Sequence, residues 1–151
     1  MQQYQLAQIN IAKMKGVDLQ DPIMQEFVEN ISGINLLAES SPGFVWRLKE
    51  DGITGIENHP FKDMQTIITI SVWEDLASLE TFTFKSLHSE FLRRRADWFH
   101  KYGTASYALW WIPAGDYPSL ESAVAKLNHL QEHGSSADAF DFKKRFEKPI
   151  G

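Results

Sequence analysis

The sequence predicts an α+β domain built around one antiparallel sheet. Segments rich in branched and aromatic residues alternate along the chain with amphipathic segments, and capping residues stand at the borders between them. A length of 151 residues is usual for one domain. We therefore treat 1–151 as a single domain.

The first predicted elements are a strand and a helix. The segment 4–12, YQLAQINIA, alternates between apolar and polar residues, which predicts a strand. Asp21 followed by Pro22 predicts a helix start, because Asp accepts hydrogen bonds from free backbone N–H groups and Pro fits the first turn. The helix is expected to end near Glu39, since the following Ser-Ser-Pro-Gly segment cannot continue it.

Two more strands and a helical region are predicted next. The segments 44–50 and 66–73 have strand composition, and the loop between them contains an Asp-Gly turn signal at 51–52. A helical region is then expected to extend to about Lys101, with a break near 86–89.

The last predicted elements are a strand and a helix. The segment 106–113 is apolar on both faces and predicts the fourth strand. Ser119 is expected to cap a helix that Gly134 ends. The apolar stripe of this helix consists of Leu120, Ala123, Val124, Leu127 and Leu130. The segment 139–146 alternates weakly and is a candidate edge strand.

The order of these elements is that of the ferredoxin-like split βαβ fold, in which helices cover one face of an antiparallel sheet. The strands 66–73 and 106–113 are nonetheless apolar on both faces, and adjacent Trp110 and Trp111 must point to opposite faces. A bare apolar sheet face promotes aggregation. We therefore expect a two-fold homodimer in which the sheets pack together.

Composition argues against several classes of partner. The net charge of −5 lacks the basic excess of a nucleic-acid binder. The absence of cysteine removes disulfides, thiol catalysis and Cys-based zinc sites. No segment has the apolar length of a membrane span or the pattern of a signal peptide, so the sequence predicts a cytoplasmic protein without a membrane partner.

Five ordered segments carry a resemblance to a known family: INLLAESSPGFVWRL, ISVWEDLASLETF, LHSEFLRRRADWF, LWWIPAGDYPSLESA and AFDF. Over nearly the whole chain they resemble the domain-of-unknown-function 3291 family (DUF3291). That family looks like a member of the dimeric α/β-barrel superfamily, which includes antibiotic-biosynthesis monooxygenases, haem-degrading enzymes and related haem proteins. The resemblance implies a dimeric α/β barrel and suggests monooxygenase-like activity, although one superfamily hosts many chemistries.

The helical region contains three consecutive arginines, Arg93, Arg94 and Arg95. If the helix is regular, Arg95 shares an apolar stripe with His88 and faces the sheet, while its two neighbours face solvent. A buried arginine needs a partner, because an unpaired charge in a low dielectric is costly. Arg95 is therefore expected either to pair with an internal acid or strand-end carbonyls, or to hold an anionic or carbonyl-bearing ligand.

His88 has three interpretations. It is a core histidine bonded to backbone or to Glu74, an acid/base or polarising group for a substrate carbonyl, or an axial haem ligand. The haem interpretation comes from the resemblance, since helix-borne histidines ligate haem elsewhere in that superfamily.

Other candidates for a pocket are aromatic and small polar residues. Trp73 matches the strand-ending Trp of the superfamily that the chain resembles, and each strand Trp either fills the core or walls a pocket. If Trp73 faces the helices, Ser71 and Thr69 do too, because side chains alternate along a strand. Trp46 and Asn35 complete the candidate substrate-binding set.

The remaining histidines are expected to have ordinary roles. His129 and His133 have the i, i+4 spacing of a metal-binding pair, yet they lie away from the apolar stripe, so we predict solvent exposure and no metal site. His59 is an ordinary loop residue or part of a flap over the pocket.

These residues predict an aromatic pocket between the sheet and the helices. In the leading hypothesis, a monooxygenase-like oxidoreductase without a cofactor acts on a small aromatic or conjugated molecule. Trp73 and Trp46 would wall the substrate, Arg95 would hold an anionic oxygen, and His88 would assist proton transfer. The alternatives are a non-enzymatic protein that binds a small hydrophobic acid, and a haem protein with His88 as axial ligand.

Overall fold

A computed structural model of the chain describes residues 2–49, 63, 65–86 and 88–149. The turn predicted at 51–52 and His59 lie outside the described residues. Among the described helices, none combines the length and hydropathy that crossing a bilayer requires.

Within the described residues, four strands form an antiparallel sheet in the order β2-β3-β1-β4. The strands are β1 (Tyr4–Lys13), β2 (Phe44–Arg47), β3 (Thr66–Trp73) and β4 (Tyr107–Pro113). The α+β class and the antiparallel sheet are as predicted. β1 and β3 are the central strands, and β2 is shorter than the predicted segment.

The helices of the described chain are α1 (Gln25–Glu39), α2 (Leu76–Lys85), α3 (His88–Arg93), α4 (Arg95–Trp98) and α5 (Leu120–His133). Asp21 accepts a hydrogen bond from the N–H of Ile23 at 3.2 Å, which caps a short 3-10 turn before α1. Ser119 caps α5 through the N–H of Ser122 at 3.1 Å. The predicted break between α2 and α3 is confirmed, whereas the break between α3 and α4 is not anticipated by the sequence.

The sheet has helices on both faces. Leu6, Trp73 and Leu109 point to one face, where they pack with side chains of α1 and α2; we call it the α1 face. Ile9 and Trp110 point to the other, which α5 covers; we call it the α5 face. The buried residues of α5 are Ala123, Leu127 and Leu130, members of its predicted stripe.

The prediction that helices cover only one face is therefore wrong. The apolar stripe of α5 is long enough to need burial, and it finds that burial against β1 and β4 of its own chain. Trp110, a candidate for the dimer core, lies beneath α5 and is 4% exposed. Its neighbour Trp111 packs on the α1 face.

The segment 139–146 does not form the suggested edge strand. It contributes one bridge to β4, in which Leu109 and Phe140 exchange backbone hydrogen bonds of 2.8 Å. Beyond this bridge, side chains attach the segment to the sheet, and the indole N–H of Trp111 donates to the carbonyl of Phe146 at 2.8 Å.

Candidate functional site

A polar patch occupies the middle of the α1 face. Gln8 and Asn10 of β1 stand opposite Ser71 and Thr69 of β3, so these four side chains are neighbours on one face; we call them the polar floor. Asn10 and Thr69 are exposed, although they lie on the two central strands. The described helices therefore leave an opening above the polar floor.

The helix α1 forms one side of this opening. Phe27, Ile34, Leu37 and Ala38 pack against the core clusters, yet no residue of α1, which the structure describes in full, is completely buried. A helix resting directly on a sheet buries its apolar stripe. Hence α1 does not seal the sheet beneath it, and we call the opening above the polar floor the cleft.

Ser71 organises the deep end of the cleft. Its Oγ accepts one hydrogen bond from the indole N–H of Trp73 at 2.9 Å and another from the Gln8 amide at 2.7 Å. Trp73 is only 1% exposed, so its N–H needs this acceptor. The serine thereby fixes the orientation of both the indole and the amide.

A column of rings leads from Trp73 to the start of α3. The indole of Trp73 stacks on Phe82, with ring centroids 5.2 Å apart and planes at 28°. Phe82 in turn contacts the imidazole of His88, with centroids 4.7 Å apart. We call these three residues the aromatic column, and it brings His88 into contact with the packed side chains of the α1 face.

The hydrogen bond of His88 identifies its tautomer. Nδ1 lies 3.1 Å from the carbonyl oxygen of Thr83. A carbonyl can only accept, so in the neutral ring Nδ1 carries the proton and Nε2 keeps its lone pair. Burial lowers the pKa of His88 and so favours the neutral ring. The bond to Thr83 raises the pKa, but by a smaller amount. Among the described residues, Nε2 has no hydrogen-bond partner and is not sealed from solvent, so it can accept a proton.

Tyr107 borders the polar floor on the β4 side, where it pairs in register with Asn10. Its phenol oxygen accepts a hydrogen bond from the backbone N–H of Phe142 at 3.0 Å. Burial raises the pKa of Tyr107, so this edge of the cleft presents a neutral phenol.

Arg94 is the best-connected residue of the arginine run. Its two terminal nitrogens donate to the two carboxylate oxygens of Glu26 at 2.6 and 2.7 Å, and its Nε donates to Asp97 at 3.0 Å. The guanidinium lies 4.8 Å above the ring of Trp98. This pairing lowers the pKa of Glu26 and ties the N-terminal turn of α1 to the α3–α4 junction. A depression of about 550 Å³ lies here, and none of its lining residues belongs to the polar floor.

The chain matches a known protein family over most of its length. A family model described as "Domain of unknown function (DUF3291)" matches residues 5–150. The chain belongs to the DUF3291 family. No curated protein matches it. The crystal structure of the NE2512 protein of unknown function from Nitrosomonas europaea is similar, with 13% identity, a TM-score of 0.47, and coverage of 77% of this chain and 96% of that one. A likeness at that score identifies neither a site nor a ligand.

In this DUF3291 protein, three of the sequence-selected residues come together around the cleft. Ser71 and Trp73 lie on the α1 face, as the prediction for a helix-facing Trp73 requires, and His88 reaches them through the aromatic column. Asn35 lies half-buried on α1, and its side chain makes no hydrogen bond within the described chain. A ligand-binding role for each of them stays a prediction.

Trp46 is not part of the cleft. It pairs with Val72 in register and therefore points to the α5 face, where its ring stacks on Tyr117 with centroids 5.0 Å apart. A bulge between Phe44 and Trp46 sets this register. The expectation that Trp46 and Trp73 wall one substrate is wrong, because the sheet separates them.

The predicted orientation of Arg95 is also wrong. The helix assumed for the whole segment ends at Arg93, and Arg94 takes a turn conformation with φ −90° and ψ 4°. The helical phase therefore restarts at Arg95, which is exposed. The stripe that Arg95 was expected to share with His88 does not exist.

Gln8, Asn10 and Tyr107 of the cleft were not predicted from the sequence. Gln8 and Asn10 are two residues apart in β1, like Thr69 and Ser71 in β3, and this shared spacing was the available signal. It becomes informative only when the two strands are known to be neighbours in register.

The histidine pair of α5 differs in part from its prediction. His133 is exposed, with 60% of its side chain accessible, but His129 is 36% exposed and its buried Nδ1 has no partner in the described chain. The two rings are 4.7 Å apart. Among the described residues, no group of three His, Cys, Asp or Glu side chains is arranged to hold a metal ion.

Proposed function

We propose that the cleft binds a small aromatic or conjugated molecule and that the protein acts on it as a monooxygenase-like oxidoreductase without a bound cofactor. The observation that carries this proposal is the neutral His88 with a free Nε2 at the end of the aromatic column. The uncharged polar floor suits the hydroxyl or carbonyl group of a flat ligand, and apolar side chains of α1 suit its rings.

In the proposed reaction, Nε2 of His88 removes a proton from an acidic C–H or O–H group of the substrate. The resulting anion is delocalised over the conjugated rings and reduces dioxygen. For a methylene substrate, one oxygen atom enters the product as a carbonyl and the other leaves with two hydrogens as water, so atoms and electrons balance.

The test uses anthrone, a conjugated carbon acid, whose reaction with dioxygen gives anthraquinone and water. We expect oxygen consumption above the spontaneous rate, and a decrease of about 10²- to 10⁴-fold in kcat for His88→Gln, as loss of a general base gives. Arg95→Gln, which alters an exposed residue, serves as the matched control and should leave the rate unchanged. Binding without oxygen consumption would favour a non-enzymatic binder.

The alternative function is the binding of a small hydrophobic acid. Arg95 was expected to bind the acid group from inside the pocket, but it is exposed. Arg47 of β2 pairs in register with Ser71 of the polar floor. Its Nε, however, already donates to Glu39 at 2.8 Å. An acid-binding protein therefore finds less support than one that binds a neutral hydroxyl or carbonyl compound.

One observation favours the haem alternative. A histidine that ligates iron is neutral, and its other nitrogen typically donates to a carbonyl or carboxylate, which is the arrangement of His88 and Thr83. Titration with haemin distinguishes this function, because an intense absorption band in the blue that His88→Ala abolishes would indicate axial ligation.

We also propose the ferredoxin-like arrangement and a homodimeric barrel. The strand order β2-β3-β1-β4 with antiparallel neighbours supports the first. The homodimer is supported by the part of the α5 face that α5 does not cover. The helix α5 packs against β1 and β4, whereas the β2–β3 half of this face carries the partly buried residues Trp46, Leu48 and Ile68. A second copy would cover them through an isologous contact. Sedimentation at micromolar concentration should show a dimer that Ile68→Asp dissociates; a monomeric wild type would contradict it.

A further inference from the structure

A groove lies between α1 and α3. Its volume is about 360 Å³, which is within the range of small-molecule sites. It is lined by Asn30, Gly33, Ile34, Leu36, Leu37, Ser40 and Phe91. We call it the Gly33 groove.

Gly33 is unexplained by the fold itself. A glycine inside a helix destabilises it relative to alanine. The usual reasons for tolerating one are a positive φ or close packing, but Gly33 has no positive φ, and a Cβ added there would meet no described atom within 4 Å. Gly33 lines the groove, so its missing side chain leaves the groove open, whereas a side chain longer than that of alanine would take up part of it.

The lining of the groove suits an apolar occupant. Ile34, Leu36, Leu37 and Phe91 supply hydrocarbon surface. The two polar side chains are engaged with α1 itself, because the Asn30 amide donates to the Glu26 carbonyl at 2.7 Å and the Ser40 hydroxyl to the Leu36 carbonyl at 2.8 Å. Few free donors therefore remain for a polar ligand.

The Gly33 groove adjoins the residues of the cleft. Ile34 and Leu37 pack in the same cluster as Trp73 and Phe82. On the opposite side, Phe91 lies three residues after His88 on α3, so the two side chains are neighbours on the helix surface. Phe91 therefore joins the groove to the side of α3 that carries His88.

We propose that the Gly33 groove is the apolar subsite of the cleft and that Gly33 sets the specificity for substituted over compact aromatic ligands. The ring hydroxyl or carbonyl of the ligand lies on the polar floor, and its alkyl or aryl substituent occupies the groove. This inference rests on the proposed binding of an aromatic molecule in the cleft, and it names the class of that molecule.

The experiment compares 4-hexylresorcinol with resorcinol, which lacks the alkyl chain, by calorimetric titration. The wild type should bind 4-hexylresorcinol at least about tenfold more tightly, because the chain buries apolar surface. Gly33→Phe should remove about tenfold of the affinity for 4-hexylresorcinol and change that for resorcinol by less than about twofold. Gly33→Ala is the matched control, since it changes helix propensity without filling the groove, and Gly33→Leu is the second filling variant should Gly33→Phe fold poorly.

Thr69→Val on the polar floor separates this inference from the proposed function. It should weaken both probes equally, because both place a hydroxyl on the floor. If Thr69→Val weakens both probes and the filling variants leave 4-hexylresorcinol unaffected, the subsite is refuted and the cleft stands. If only the filling variants matter, the groove stands as an apolar site and the cleft is refuted. Binding of neither probe to the wild type would overturn both.

Discussion

The Nδ1 atom of His88 lies 3.1 Å from the carbonyl oxygen of Thr83, which places the proton of the neutral ring on Nδ1. Residues five positions apart make this contact across the break between α2 and α3. The break therefore does more than end a helix, because it orients the imidazole with Nε2 free.

The first prediction concerns the pH dependence of stability. Burial lowers the pKa of His88 below its ordinary value of 6.5. Between the folded pKa and 6.5, His88 binds more protons in the unfolded state, so its contribution to the free energy of unfolding falls as the pH falls through this window and is constant above it. His88→Gln should remove this component, so its urea-unfolding curves should depend less on pH in the acidic range below 6.5 than those of the wild type.

Nuclear magnetic resonance checks the same residue independently. Long-range ¹H–¹⁵N correlation at neutral pH should show a protonated Nδ1 and an unprotonated Nε2 for His88. Equal pH slopes for the two proteins, or a proton on Nε2, would contradict the environment derived from the Thr83 contact.

The second prediction concerns Ser71. Ser71→Ala removes the acceptor of the buried Trp73 N–H, which should lower the free energy of unfolding by about 1–3 kcal/mol, the usual cost of an unsatisfied buried donor. Thr69→Val is the control on the same strand and face, and at its exposed position it should change stability by no more than about 0.5 kcal/mol. Chemical denaturation measures both, and equal effects would show that the Ser71–Trp73 bond adds nothing.

The third prediction ranks the arginines. Arg94→Ala removes the paired contacts to Glu26 and the position over Trp98, so it should lower Tm more than Arg95→Ala. Arg95→Ala should alter the free energy of unfolding by at most about 0.5 kcal/mol, as at other exposed positions. The Tm difference should shrink at high salt, which screens exposed ion pairs. A larger loss for Arg95→Ala would restore the inward orientation that the sequence suggested.

The fourth prediction contrasts two glycines. Gly33→Ala should stabilise the protein by about 0.5–1 kcal/mol, since α1 is regular there and the new methyl group meets no described atom. Gly43→Ala should destabilise it, because Gly43 has φ +84° and a Cβ there would collide with the side chain of Ser78. Thermal unfolding of the two variants should therefore shift in opposite directions, and a loss of stability in Gly33→Ala would mean that the groove is closed by packing.

Local patterns in the sequence determined much of this protein. Several correctly predicted features depend only on residues a few positions apart. They are the caps at Asp21 and Ser119, the apolar stripe of α5, and the strand alternation that places Ser71 on the same face as Trp73. Backbone geometry alone relates such residues, through periods of 3.6 and 2.0, so the sequence suffices to predict them.

Contacts between distant parts of the chain decided the rest. Arg94 pairs with Glu26, 68 positions away, at the turn between α3 and α4. Because the helix is interrupted at this turn, the regular helical period could not predict the orientation of Arg95 relative to His88. The register between β2 and β3 sends Trp46 to the face opposite Trp73, and pairing of β1 with β3 joins Gln8 to Ser71. The helix α5 covers one face of the sheet because packing its apolar stripe on β1 and β4 removes apolar surface from water. Which face it covers depends on the assembled sheet and is not encoded in the helix alone.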